Sequence, residues 1–317
     1  MRLFASLFVL FASFGFAQPY PSKPIHLIVP FPPGGPTDIV GRLVGQKLSE
    51  GIGQPVVVEN RPGAGGTVGS TAAAKSAPDG YTLLYGSTST LAIAPSLYRN
   101  IAYDPQKSFA PISLVSSGPI LIAVNAQVPA KTLKEFIDLA KKQPGKMSYS
   151  SGGNGTPPHL AGELFKAIAG VDLLHVPYKG GGPAINDVAG GQVQAVFEGQ
   201  VALLPHLQSG RIRALAITGA KRNPALAQVP TVAEAGLPQY DANFWSGLVA
   251  PAGTPAETIS KLNAVLVKAL QSPEVRETLT RQGLEPAGNS PQQFAAHISA
   301  EMDKWAAVVK KSGAKID

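Results

Sequence analysis

Four glycine-bearing stretches carry residue types that can hold a small anion. They are Pro30-Phe31-Pro32-Pro33-Gly34-Gly35-Pro36-Thr37-Asp38, Arg61-Pro62-Gly63-Ala64-Gly65-Gly66, Ser151-Gly152-Gly153-Asn154-Gly155 and Tyr178-Lys179-Gly180-Gly181-Gly182-Pro183. Each follows a strand-like run and precedes a helix-like one. Glycine lets backbone N–H groups approach a ligand, and a helix N-terminus carries partial positive charge. Each such end favours an anion by about 0.3–1 kcal/mol. A tight turn is the plain alternative for any one loop. Four in a repeated pattern point to a cleft that could enclose a carboxylate.

The expected lining is Gly34, Gly35, Thr37, Asp38, Ser87, Thr88, Gly155, Thr156 and His159, with backbone N–H groups doing most of the binding. Phe31, Ser151, Asn154, Tyr178, Gly180 and Glu198 complete the candidate set. Asp38 also suits a helix cap, His159 a contact to its own loop, and Glu198 a solvent-exposed strand end. Arg61 and Lys179 flank glycine loops and could meet an anion or simply be solvated.

Other chemistries lack their residues. Gly63-Ala64-Gly65 is followed by Val68 where a dinucleotide fingerprint needs glycine, Lys75-Ser76 is preceded by Ala74 rather than the P-loop glycine, and no Gly-x-Ser-x-Gly occurs. With no cysteine, thiol catalysis, Fe–S clusters and cysteine-type zinc sites are excluded. None of the five histidines forms His-x-x-x-His. His159 and Glu163 share a helix face at i, i+4, but no third metal ligand is suggested, so neither metal nor cofactor is expected. The net charge of +7 favours acidic partners, yet basic residues are scattered rather than clustered with aromatics, which argues against nucleic acid. A secreted hydrolase is the rival reading. A base within hydrogen-bond reach of a serine or threonine in the cleft would favour it. A ligand-binding partner of a sensor kinase is a third.

The elements that must position these loops recur in order. Ile25–Val29, Pro55–Glu59 and Tyr81–Tyr85 read as strands, with helices over Ile39–Glu50 and Thr67–Lys75 and a polar loop at Gly86–Thr90. Met147–Ser150, Leu173–Pro177 and Gln194–Glu198 read as strands, with helices over Leu160–Ala169 and Ala184–Ala189. Thr37-Asp38 and Thr156 are the expected caps, the latter ahead of Pro157 and Pro158. This doubled alternation implies two similar α/β domains with largely parallel sheets. After a strand at Phe244–Ala250, three helices follow at Pro255–Gln271, Pro273–Gln282 and Pro291–Lys311, announced by Thr254, Ser272 and Ser290, and expected to pack on the first domain.

Residues 1–17 read as a signal peptide: Arg2, an apolar run over Leu3–Phe14 and small residues ending at Ala17, after which cleavage is expected. Export lowers the expectation of ATP- or NADH-dependent enzymes. The first domain is placed at 18–119 and 249–317, the second at 120–248. The chain would cross between them near Leu114–Val124 and Phe244–Ala250, with Gly118 and Gly247 as hinge positions or, alternatively, as points of close strand packing.

The chain resembles the extracytoplasmic solute receptors of tripartite tricarboxylate transporters, the Bug or TctC family, from about Tyr20 to its C-terminus. The resemblance rests on the Pro30–Asp38 loop, Glu59-Asn60-Arg61-Pro62-Gly63-Ala64-Gly65-Gly66, Pro78-Asp79-Gly80-Tyr81-Thr82-Leu83, Gly155–Ala161, Val176–Gly180, Gly190–Val193, Pro230-Thr231 with Glu234-Ala235-Gly236, and Trp245–Leu248 through Ala250–Pro255. It implies a two-lobed periplasmic flytrap, a receptor rather than an enzyme, that closes on a small carboxylated molecule and serves membrane components of the transporter; the sequence shows no coiled coil or obvious dimer face, so a monomer is expected. It also implies that the loops Phe31–Asp38 and Ser151–His159 hold the carboxylate. Glu198 departs from the aspartate common at its position, and the resemblance names no substrate.

Overall fold

The computed structural model describes residues 20–219, 221–223 and 226–314, without the side chain of Pro36. The expected signal peptide lies outside the described residues. Two sheets of the same design dominate. The first holds β1 (Ile25–Val29), β2 (Val56–Asn60), β3 (Thr82–Ser87), β4 (Phe109–Gly118), β10 (Phe244–Pro251) and β11 (Glu285–Pro286) in the order β11-β4-β10-β3-β1-β2. The second holds β5 (Ile120–Asn125), β6 (Met147–Ser151), β7 (Leu173–Pro177), β8 (Ala195–Gly199) and β9 (Ile212–Ile217) in the order β7-β6-β8-β5-β9. Both contain three parallel strands, β2-β1-β3 and β7-β6-β8. An antiparallel strand follows in each, β10 beside β3 and β5 beside β8. The sheets are therefore mixed rather than largely parallel, because the strand arriving from the other lobe runs against its neighbours.

Sequence chemistry sets the helices between them. α1 (Pro36–Ile52) starts with proline at its first position and stops at Gly53 in the left-handed region, φ 78°. Its N-cap is Gly35, not Thr37-Asp38, which lie inside the first turn. Thr156 caps α5 (Pro157–Ala169) as expected, with its Oγ1 accepting the His159 N–H. α6 (Gly181–Ala189) and α7 (Gln200–Gln208) follow β7 and β8. The Gly86–Thr90 stretch is not a loop: β3 runs through Ser87, and a π-helical turn at Ser89–Ile93 leads into α3 (Ala94–Leu97).

The strands β4 and β5 are one extended run interrupted at Pro119, so the first crossing lies there. The second lies ahead of Phe244, since all of β10 pairs in the first sheet. Residues 244–248 thus belong to the first lobe rather than the second. Thr218 joins the crossings: its Oγ1 accepts the Ile120 N–H at 2.8 Å and donates to Asn243 Oδ1 at 2.7 Å. Gly247 sits inside the first sheet opposite Gly86 and Leu114, where a Cβ would overlap the Phe294 ring. A Cβ at Gly118 would overlap Phe244. Neither glycine has the left-handed backbone that would demand it, so close packing accounts for both.

The tail forms α8 (Ala256–Leu270), α9 (Pro273–Arg281) and α10 (Pro291–Ser312). Ser272 and Ser290 cap as expected, the latter in a capping box with Gln293. Thr254 does not: its hydroxyl donates to Pro251 O, and Pro255 is the N-cap. α10 does not rest on the first lobe alone. It packs on β4 and the π-helical turn, then on α5 of the second lobe, where Lys311 Nζ donates to Ala167 O at 3.2 Å. Among the described residues no helix is long and apolar enough to cross a membrane.

Candidate functional site

The loops that precede α1, α5, α6 and α7 leave the C-terminal ends of β1, β6, β7 and β8, where open α/β sheets bind ligands. In the first lobe the β1–α1 loop is held by Asp38. Its Oδ2 accepts the Gly34 N–H and Arg42 Nε, both at 2.9 Å, and its Oδ1 accepts Asn60 Nδ2 at 2.8 Å. Asn60 Nδ2 also donates to Phe31 O. Burial works to raise the Asp38 pKa, but the bonds from Arg42, Gly34 and Asn60 together hold it below the ordinary carboxylate range. Asp38 is 2% exposed, so it shapes the loop and leaves its oxygens no place for a ligand. Arg42 stands at i+4 from Asp38, on the same face of α1.

The clamp leaves donors free. Among the described residues the N–H groups of Gly35, Thr37 and Asp38 reach no protein acceptor, since Pro36 has none to give and the first helical bond runs from Ile39 N–H to Gly35 O. Unengaged N–H groups at the start of a 17-residue helix are the kind of donors to which anions bind. Phe31 lies beside it, half-buried, with its ring near Gly66. Ser87 Oγ is buried without a partner. Thr88, by contrast, is buried with its hydroxyl engaged in both directions, accepting the Trp245 N–H at 2.8 Å and donating to Trp245 O. It supports the site's wall rather than facing a ligand.

The second lobe's loop is internally satisfied. Ser151 Oγ accepts the Gly153 N–H and donates to Gly153 O. Thr156 Oγ1 donates to Gly153 O at 2.8 Å, and His159 Nδ1 accepts the Gly155 N–H at 3.0 Å. The Thr156 and His159 N–H groups are also taken, and Pro157 and Pro158 carry none. Asn154 retains both its N–H and an exposed side chain. Tyr178 points its hydroxyl to Asp187 at 2.5 Å, and burial with that bond pushes its pKa up to about 12. Gly180, at φ 116°, donates to Gly152 O and joins the two loops. Arg61 is paired with Glu59, and Trp245 and Phe197 are core residues.

His175, which the sequence did not single out, completes this base. Its Nε2 lies 2.7 Å from Ser151 Oγ, and its ring stacks on Tyr149 and His159. This is the serine–base contact that would have favoured a hydrolase, but its details oppose nucleophilic chemistry. Ser151 is fully buried and bonded to Gly153 both ways. Burial, with smaller contributions from His159 and Lys166, lowers the His175 pKa to about 3, too weak a base to take a serine proton near neutrality. Among the described residues no carboxylate bonds to His175. The pair fastens β7 to the β6–α5 loop.

His159 and Glu163 are likewise engaged by protein partners. Glu163 accepts Tyr149 Oη at 2.7 Å and Lys166 Nζ at 3.0 Å, and among the described residues no group of three or more metal-ligating side chains assembles. A hollow of about 200 Å³ lies where the lobes meet, lined by Leu97 of the first and Asn154, His159, Glu163 and Lys166 of the second, with Ser312–Ala314 closing it. A larger one on the second lobe, lined by Lys131, Arg213 and Arg222 among others, is at the opposite end of the strands from these loops.

Two matching α/β lobes with helix N-termini at one end of each sheet define a solute-binding protein. The comparisons agree. The family described as the tripartite tricarboxylate transporter family receptor matches residues 40–314. The chain is 41% identical to protein BugT of Bordetella pertussis, over 99% of this chain and 98% of BugT. An R. palustris protein solved with adipate matches with a TM-score of 0.83 and 38% identity, covering 94% of this chain and 100% of that one. MatC from Rhodopseudomonas palustris, solved with bound malate, matches at 0.79 and 36%, covering 92% and 100%. This chain belongs to the tripartite tricarboxylate transporter receptor family, and within it to the Bug proteins. It is a binding receptor and not an enzyme.

Proposed function

We propose that this protein captures a small carboxylate in the periplasm and presents it to the membrane components of a tripartite tricarboxylate transporter. The observation that carries the proposal is the set of unengaged N–H groups on Gly35, Thr37 and Asp38 at the start of α1, held open by the Asp38 clamp. The carboxylate binds there, and Ser87 Oγ and Asn154 supply side-chain contacts from the two lobes. Adipate and malate in the relatives' structures support a carboxylate as ligand class. The protein acts as an exported monomer, its signal peptide cleaved after Ala17. The lobes close about the crossings at Pro119 and ahead of Phe244.

A thermal-shift screen of carboxylates tests this. A ligand at about 100 times its dissociation constant should stabilise the folded protein by about 2.7 kcal/mol. No shift with any mono-, di- or tricarboxylate at millimolar concentration would refute the reading.

A further inference from the structure

Glu198 lies at the cleft end of β8, where the N-termini of α6 and α7 converge. Its Oε1 accepts the Gly199 N–H at 2.9 Å, at the start of α7. Its Oε2 lies against Gly181, the first residue of α6, where a Cβ would stand 3.0 Å away. The protein's own carboxylate thus sits beside two of the three helix N-termini that follow β6, β7 and β8. The third, at α5, has its N–H groups engaged by Ser151, Thr156 and His159. The first lobe is the reverse, with Gly35, Thr37 and Asp38 N–H groups unengaged. At the first-lobe helix start the protein's own carboxylate, Asp38, is taken up by Gly34, Arg42 and Asn60, whereas at the second-lobe starts Glu198 accepts only the Gly199 N–H, beside Gly181 and Gly182 N–H groups that among the described residues reach no protein acceptor.

We infer that Glu198 selects ligands that carry one carboxylate toward the first lobe and a hydrogen-bond donor toward the second, and that it rejects a second carboxylate at that end. The donor is a hydroxyl, amide or ammonium group. This deepens the carboxylate-receptor reading and rests on it. An uncompensated like-charge pair is an effective means of exclusion. Burial pushes the Glu198 pKa up to about 7, against a smaller opposing pull from the Gly199 N–H. The ionisable groups on elements packed against β8 are Tyr149 of β6, His159, Glu163 and Lys166 of α5, Asp187 of α6 and His206 of α7, while β5 has none. None of them contributes to the shift at Glu198. Below its pKa the neutral acid can itself donate, and the exclusion relaxes.

The test is isothermal titration of the full receptor with matched pairs: succinate with 4-hydroxybutyrate, adipate with 6-hydroxyhexanoate, and terephthalate with 4-(hydroxymethyl)benzoate, at pH 6 and pH 8. We expect the hydroxy acid of a binding pair to be favoured at least tenfold at pH 8, and by much less at pH 6. Glu198→Gln should remove the pH dependence and admit the dicarboxylate. Equal binding within a pair at pH 8, or a preference unchanged by pH, would overturn the inference while leaving the receptor reading intact. If neither member of any pair binds at either pH, the inference falls, and the wider carboxylate screen decides the receptor reading separately. The wild-type comparison needs no variant, so a Glu198→Gln protein that failed to fold would not rescue the idea.

Discussion

The imidazole of His159 lies on that of His175, with ring centroids 4.1 Å apart and planes 21° from parallel. Burial lowers both pKa values, that of His175 to about 3. Two protonated rings in this contact would repel, so both are neutral at physiological pH. In the unfolded chain a histidine protonates near pH 6.5, so on acidification the unfolded state binds the proton first. Stability is therefore fully present above about pH 6.5 and is lost as pH falls toward 3.

His175→Gln keeps a group able to bond Ser151 and removes one titration. The slope of unfolding free energy between pH 4 and 6 should fall by up to about 1.4 kcal/mol per pH unit. Denaturant unfolding across that range reads it directly. A slope equal to wild type would mean that His175 is not held neutral.

Glu198 shifts the opposite way, with opposite consequences. Its folded pKa of about 7 exceeds its ordinary value of 4.5. The native state keeps the proton longer, so this group costs stability as pH rises from 4.5 to 7, and the full cost remains above 7. Glu198→Gln should stabilise the ligand-free protein by about 2 kcal/mol at pH 8, after allowance for its partial opening to solvent, and hardly at all at pH 4.5. Thermal or urea unfolding at the two pH values checks both sign and window.

Asp38 tests the loop clamp. Asp38→Ala leaves the Gly34 N–H without its acceptor, leaves Asn60 Nδ2 with Phe31 O alone, and leaves Arg42 only its bond to Asn60 Oδ1. We expect a loss of about 2 kcal/mol of stability and a marked loss of carboxylate affinity. Arg42→Ala should cost under about 1 kcal/mol, because its side chain is half-exposed. Equal affinity in Asp38→Ala and wild type would separate the clamp from binding.

Gly247→Ala forces a methyl group into the Phe294 ring, for about 1–3 kcal/mol of destabilisation. Because Gly247 is inside the first sheet, ligand-induced compaction in small-angle scattering should be the same as in wild type. A variant of normal stability that no longer compacts would restore Gly247 as a hinge.

The paired strand–loop–helix order was legible because proline, glycine and hydroxyl residues mark helix ends by local chemistry. Thr156, Ser272 and Ser290 cap as their surroundings dictate. The direction of a hydroxyl is not local. Thr88 turns to Trp245, 157 positions away, and Ser151 meets His175 across two strands. Thus several residues read as ligand contacts build the walls that carry the contacts. The start of β10 at Phe244 is legible, but the lobe it joins is not, since an apolar strand fits either sheet until its partners are known. The sequence places α10 on the first lobe alone, because its reach to α5 depends on how the lobes meet.

A crystal structure of the receptor with a carboxylate selected by titration addresses the central claim most directly. One carboxylate oxygen should lie within about 3.2 Å of the N–H groups of Gly35, Thr37 or Asp38, between the two lobes. A carboxylate seated away from the start of α1, at α6 or in the hollow lined by Lys131 and Arg213, would contradict it.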